Sequence, residues 1–137
     1  EVGANPTELG LVGLETWFWL APGPAELSVH ESYAGTQYVV AATPTGVDWD
    51  FGDGTSMRIS GSDGFGRPYP QASSVRHTYE AHNRSGYAVR ATIRYEVSWT
   101  ATIGGRSFGP YPFGATELRA RPLTYAVEQA QPELIQT

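Results

Sequence analysis

Three carboxylates fall within six residues at Asp48, Asp50 and Asp53, the residue type and density that a hard cation such as calcium needs. A D-x-D-x-D-G loop would place its third acid two residues after the second, whereas Asp53 comes one place late. Alternation also sends Asp48 and Asp50 to one strand face. The expectation is therefore turn bracing and cross-strand hydrogen bonding, with weak calcium binding as the alternative and no other metal site. Gly105-Arg106-Ser107-Phe108-Gly109 spells G-x-S-x-G. A hydrolase needs that motif on a strand-to-helix elbow, and no helical period follows it here. His77 is a general-base type of residue, but beside Thr78 on a predicted strand it reads as structural. His30 and His82 lack metal-like spacing, and Asn83-Arg84-Ser85 is an N-x-S sequon short enough to arise by chance. No nucleophile, base and oxyanion donors can be assembled, nor paired acids in a cleft. The expectation is a chain that is not an enzyme, with no catalytic residue and no cofactor.

The acids are positioned by Val47-Asp48-Trp49-Asp50-Phe51, whose apolar residues alternate with carboxylates as in a strand with one buried face. Gly52-Asp53-Gly54 tolerates positive φ and predicts a sharp turn into a strand from Thr55 to Ser60. The longest pattern runs from Tyr87 to Ile103, where every odd residue is apolar or aromatic and the even ones are mostly polar. Straight, it would span ~55 Å, too long for a sandwich of this size. It must coil, bulge or project beyond the body as part of a hairpin.

Other strands are read at Thr16–Leu20, with Trp17 and Trp19 on one face and Phe18 on the other, and at Val75–Tyr79. Leu27, Val29 and Tyr33 share a parity before Ala34-Gly35, and Gln37–Thr43 follows. Pro44-Thr45-Gly46 is expected to turn the chain, and Gly61–Ser73 to form a long loop. Glu80–Gly86 reads as a polar connection. Gly104-Gly105 opens a Gly- and Pro-rich connection ending near Gly114. A final strand is expected from Ala115 to about Ala130, with a bulge or edge break at Pro122.

Sixteen Gly and ten Pro supply many turns, which favours an all-β fold. A net charge of −5 argues against nucleic acid as a partner. All basic residues are Arg, so Lys chemistry is excluded, and the absence of Cys excludes disulfides and thiolate metal sites. No apolar run reaches the ~18 residues of a membrane span. Because Glu1 is not a start methionine, a signal or anchor upstream is expected to have been removed.

The W-D-F-G-D-G segment Trp49–Gly54 resembles the core motif of the PKD (polycystic-kidney-disease-type) domain family. His77-Thr78-Tyr79 with Gly86-Tyr87-Ala88-Val89 resembles its later H-T-Y…G-x-Y-x-V segment. Gly13-Leu14-Glu15-Thr16-Trp17-Phe18-Trp19 is also similar to a G-L-x-T-W-x-W segment of bacterial exported PKD-like proteins, with Glu15 where Pro is more usual. Those proteins end in a strand like Val127-Glu128-Gln129-Ala130. The resemblance implies an immunoglobulin-like β-sandwich of about seven antiparallel strands. Residues 1–15 would be an extended lead-in, 16–130 the domain and 131–137 a tail. It further implies Trp49 and Phe51 in the core, Asp50 and Asp53 bracing the Gly52–Gly54 turn, and Tyr79 and Tyr87 closing the sandwich. It implies a secreted or cell-surface module used for spacing, adhesion or protein binding.

In an immunoglobulin-like order, Pro44–Gly46, Gly61–Ser73 and Gly104–Gly114 would gather at one end. That end would collect Phe65, Arg67, Tyr69, Arg106, Phe108, Tyr111 and Phe113, residue types enriched at binding hot spots. The alternative is a local cap of rings over the sandwich end. The expected partner is a protein or a surface glycan. Recognition of a polysaccharide by these aromatics, and service as a subunit of an envelope or secretion complex, are the competing functions. The complex is favoured if the strand row beyond about Trp99 projects as an arm.

Overall fold

The computed structural model describes residues 1–129, and among them the only helix is one short 3-10 turn, Ser62–Phe65. The strands are β1 (Val2–Asn5), β2 (Leu9–Leu11), β3 (Glu15–Leu20), β4 (Leu27–Tyr33), β5 (Thr36–Asp50), β6 (Ser56–Ser60), β7 (Val75–Thr78), β8 (Asn83–Ile103), β9 (Arg106–Arg119) and β10 (Leu123–Glu128). A small sheet has the order β1-β3-β7. The large one runs β2-β10-β8-β5-β4, with β6 also on β5 and β9 also on β8. All pairings are antiparallel except β2 with β10, which is parallel. The architecture is thus all-β and sandwich-like, with more strands and a more mixed sheet than the expected seven.

The two sheets face each other over only part of the large one. Val2, Ala4, Phe18, Leu20 and Val75 of the small sheet pack against Val47, Trp49, Val89, Ala91, Ile93, Tyr125 and Val127 of the large one. Phe18 is fully buried at the centre, with ring centroids 5.5 Å from Phe51, 5.6 Å from Tyr125 and 6.3 Å from Trp49. Each large ring removed from water contributes ~1.5–3 kcal/mol, so this cluster dominates the stability of the body. Its polar atoms are satisfied. The Trp49 Nε1–H donates to the Gly64 carbonyl at 2.7 Å, and Tyr79 Oη donates to the Phe51 carbonyl at 2.8 Å. Residues 1–15, expected as a lead-in, form β1, β2 and the start of β3, and they bury Val2 and Ala4.

β5 and β8 pair from Asp50↔Arg90 to Gln37↔Thr102, well past the small sheet. The far half of β5 is flanked by β4, and the far half of β8 by β9. Beyond the body the large sheet therefore continues, among the described residues, as a single-layered, four-stranded arm ordered β4-β5-β8-β9. Among the three outcomes open to the long alternating strand, projection in a hairpin is the one found.

Bulges account for the departures from the expected boundaries. Pro44-Thr45-Gly46, read as a turn, is a bulge inside one continuous strand, with a register shift between Pro44 and Gly46. Gly46 is buried, and a Cβ there would lie 2.5 Å from the Ile59 carbonyl oxygen and 2.3 Å from Arg94 Nη2, so only glycine fits. Gly104–Gly114, read as a connection, is largely strand β9, bulged on both sides of the Trp99–Tyr111 pair. Gly109 and Gly114 sit at φ 104° and 140° there, which side-chain-bearing residues avoid. The chain breaks at residues 120–122 around Pro122, so Ala115–Ala130 is not one strand. Ala130 and the expected tail 131–137 lie outside the described residues.

Candidate functional site

The bulge at Thr45 changes which residues of β5 face the core. On the body side Val47 and Trp49 do so; on the arm side Tyr38, Val40 and Ala42 share the face of Ala101, Trp99 and Val97. The face that buries the body core thus runs on unbroken along the arm. The two β9 bulges add Phe108, Tyr111 and Phe113 to it, although these residues do not alternate. Cross-strand rows result. One reads Val29, Val40, Trp99, Tyr111; the next toward the tip reads Glu31, Tyr38, Ala101, Phe108.

No second layer covers these rows among the described residues. Phe113 is 74% exposed and Tyr33 77%, and Leu27, Val29, Val40, Ile103, Phe108 and Tyr111 are also exposed. The rings interact: Trp99 lies 4.8 Å from Tyr111 and 6.5 Å from Tyr38 by centroid. A shallow apolar depression of about 420 Å³ lies between Tyr38, Trp99, Phe108 and Tyr111. Charges on the face are Glu31 and Arg106, whose guanidinium carbon sits 5.7 Å above the Phe108 ring. The opposite face of the arm carries Ser28, His30, Gln37, Ser98, Thr100 and Thr102, with Val39 and Ala41 among them. The arm is amphipathic, and its apolar side is left as open as its polar one. Contiguous exposed apolar area of this kind marks interaction sites.

The seven loop residues expected at one end fall into two groups. Arg106, Phe108, Tyr111 and Phe113 belong to β9 in the arm. Phe65, Arg67 and Tyr69 lie beside the small sheet, where Phe65 packs on the core and Tyr69 meets Trp17 at 6.3 Å. Arg76 lies over the Trp17 ring, its guanidinium carbon 4.7 Å from the centroid. Leu27, Val29, Tyr33, Tyr38, Val40 and Trp99 were not expected as site residues. The parity of Leu27, Val29 and Tyr33, and of Trp99 within its row, was the available signal.

The acidic turn uses its carboxylates locally. Asp50 Oδ1 accepts from the Gly52 amide at 2.9 Å. Asp53 Oδ1 accepts from the Thr55 amide at 3.1 Å and from the Thr55 hydroxyl, while its Oδ2 lies 2.7 Å from His77 Nε2. Burial alone would raise the Asp53 pKa; the hydrogen bonds from Thr55 and His77 outweigh it and hold the carboxyl below its ordinary value. His77 also stacks flat on Phe51 at 4.3 Å, so it ties the turn to the core. Thr55 and Asp53 both approach the same imidazole nitrogen, which is not the two-nitrogen relay of a hydrolytic triad. Asp48 Oδ1 faces Arg94 Nε at 3.2 Å and Arg58 Nε at 3.8 Å, in ion pairs without hydrogen-bond alignment. Among the described residues no three acidic, His or Cys side chains converge as a metal would need. Ser107 of the G-x-S-x-G stretch sits on β9 with its Oγ 3.2 Å from Thr102 Oγ1 across the hairpin. In the sequon, Asn83 Oδ1 accepts from Ser85 Oγ and the Gly86 amide.

No protein-family model, curated protein or solved structure matches the chain. Among the described residues no helix is long and apolar enough to cross a membrane.

Proposed function

We propose that the chain is a non-catalytic, extracytoplasmic PKD-like module whose work is protein–protein assembly at the cell envelope. The observation that carries this reading is the amphipathic arm, one sheet thick, with an uncovered aromatic face continuous with the core. A side chain in water contributes nothing to folding, so a row of large apolar residues kept there is better explained by contact with another molecule. The PKD-type assignment draws support from buried Trp49 and Phe51 and from Asp50 and Asp53 bracing the Gly52–Gly54 turn. Tyr87 Oη donates to the Ala81 carbonyl at 2.6 Å, the form of a tyrosine corner in immunoglobulin-like sandwiches.

Recognition of a surface glycan is the second reading, favoured by the Tyr38, Trp99 and Tyr111 platform. The face offers few polar groups for sugar hydroxyls, which places it behind a protein partner. The test is binding of immobilised envelope extract and of a glycan array by the isolated domain. The assembly reading expects protein retention that is lost in Tyr111→Ser with Phe113→Ser and kept in Tyr69→Ala. Glycan binding that follows the same pattern, with no protein retained, would replace it with the second reading.

A further inference from the structure

Building on the assembly reading, we infer that the partner of the arm is a second copy of this chain, whose own arm lies antiparallel across it, apolar face to apolar face. The small sheet supplies a second layer over the core that holds Val47, Trp49, Ala91, Ile93 and Tyr95, and does not extend over the rows of Trp99 and Ala101. The uncovered remainder is four strands wide and apolar on one side, so the surface that would complete the sandwich has the width and chemistry of the arm itself. Two such faces stack about 10 Å apart, the spacing at which inner-face side chains interdigitate.

The areas agree. The large side chains on the arm face present roughly 900 Å² per copy, so joining two would remove at most about 1,800 Å² in total, within the range of a stable specific interface. Charge agrees as well. One acid, Glu31, and one base, Arg106, lie on the face, so two copies bring no net charge into contact although each chain carries −5.

Direction follows from the bodies. With the arms parallel, each body would meet its twin on the side where both already carry the small sheet. With the arms antiparallel, each tip runs toward the partner's small sheet and the bodies stand at opposite ends. The relation is a closed two-fold, in which the same patch serves both copies. Edge-on joining along β9 is disfavoured by Pro110, Pro112 and two bulges.

Sedimentation equilibrium of the full chain, from 1 to about 100 µM, is the test, at concentrations where interfaces of this size associate. A species of twice 14.9 kDa is expected, with a concentration-dependent blue shift of Trp99 emission that Trp99→Phe abolishes. Val40→Lys with Phe113→Asp should give monomer at every concentration, with an unchanged circular dichroism spectrum. A wild-type chain that stays monomeric overturns the inference. So does a dimer that survives the double variant, since Val40 lies on the inner strand β5 and edge-on joining would not feel its change. The assembly reading fails separately. A monomeric wild type whose envelope-protein retention still depends on Tyr111 and Phe113 keeps that reading and sinks the dimer. A dimer abolished by the double variant, with no envelope protein retained, keeps the dimer and confines assembly to the chain itself.

Discussion

Truncating Phe18 and truncating Phe113 remove the same atoms from two differently built halves of one sheet system. Phe18 is fully enclosed by Trp49, Phe51 and Tyr125, and its removal leaves a cavity in a packed aromatic cluster. Phe→Ala at such a site costs about 3–5 kcal/mol from lost transfer energy plus the cavity. For a domain of this size that lowers Tm by roughly 10–20 °C. Phe113 keeps 74% of its surface in water, so only about a quarter of a ring's ~2–3 kcal/mol burial is at stake, or ~0.5 kcal/mol. The comparison requires urea unfolding, followed by circular dichroism at low micromolar concentration, with each protein shown to be monomeric there. If Phe113→Ala costs as much as Phe18→Ala under those conditions, the arm face is buried within the monomer, and both the binding face and the dimer lose their basis.

Gly46→Ala should destabilise by more than the ~1 kcal/mol typical of point changes, because the added methyl meets the Ile59 carbonyl; thermal melting checks this. Tyr79→Phe removes the donor to the Phe51 carbonyl and should cost about 1–3 kcal/mol in urea unfolding, the penalty of a buried acceptor left unpaired. The folded pKa of Asp53 is depressed, so its stabilisation is present above the unfolded value and is lost as pH falls through the folded one. Stability measured from pH 6 down to about 2, spanning the carboxylate range, should therefore decline less steeply in Asp53→Asn than in wild type. Equal slopes would mean that the Thr55 and His77 contacts contribute nothing.

β8 was legible because its alternation is unbroken, and an unbroken period of two admits one structure and one buried face. Trp49 and Phe51 were legible for the same reason. β9 was hidden because its aromatics stand at 108, 111 and 113, spacings of three and two, among Gly109, Pro110, Pro112 and Gly114. That spacing resembles a loop until two bulges restore the rings to one side. The phase change between Val40 and Val47 likewise has two local explanations, a turn or a bulge, and only pairing with β8 distinguishes them. β1 offered only Val2 and Ala4 in a short Gly-containing run, too little alternation to separate a strand from a lead-in. Alternation also shows that one side of a strand is greasy without showing what lies over it. The arm's open face depends on where a different sheet ends, which no single strand encodes.

The one-residue offset at Thr45 has a consequence for how this protein can change. Removing that single codon would leave overall charge and hydrophobic content almost untouched, and Val47 and Trp49 could keep their seats against Ile93 and Ala91. From Ala42 back to Thr36 the pairing with β8 would be kept as well, because without the extra residue Gly46 still opposes Arg94 and Pro44 still opposes Tyr95 in one uninterrupted period of two, and Tyr38 and Val40 would stay on the front. The inserted residue thus serves local twist and the bond from the Thr45 hydroxyl to the Arg94 carbonyl, 3.3 Å away, and a three-nucleotide deletion would probe those without changing which side of the arm is adhesive.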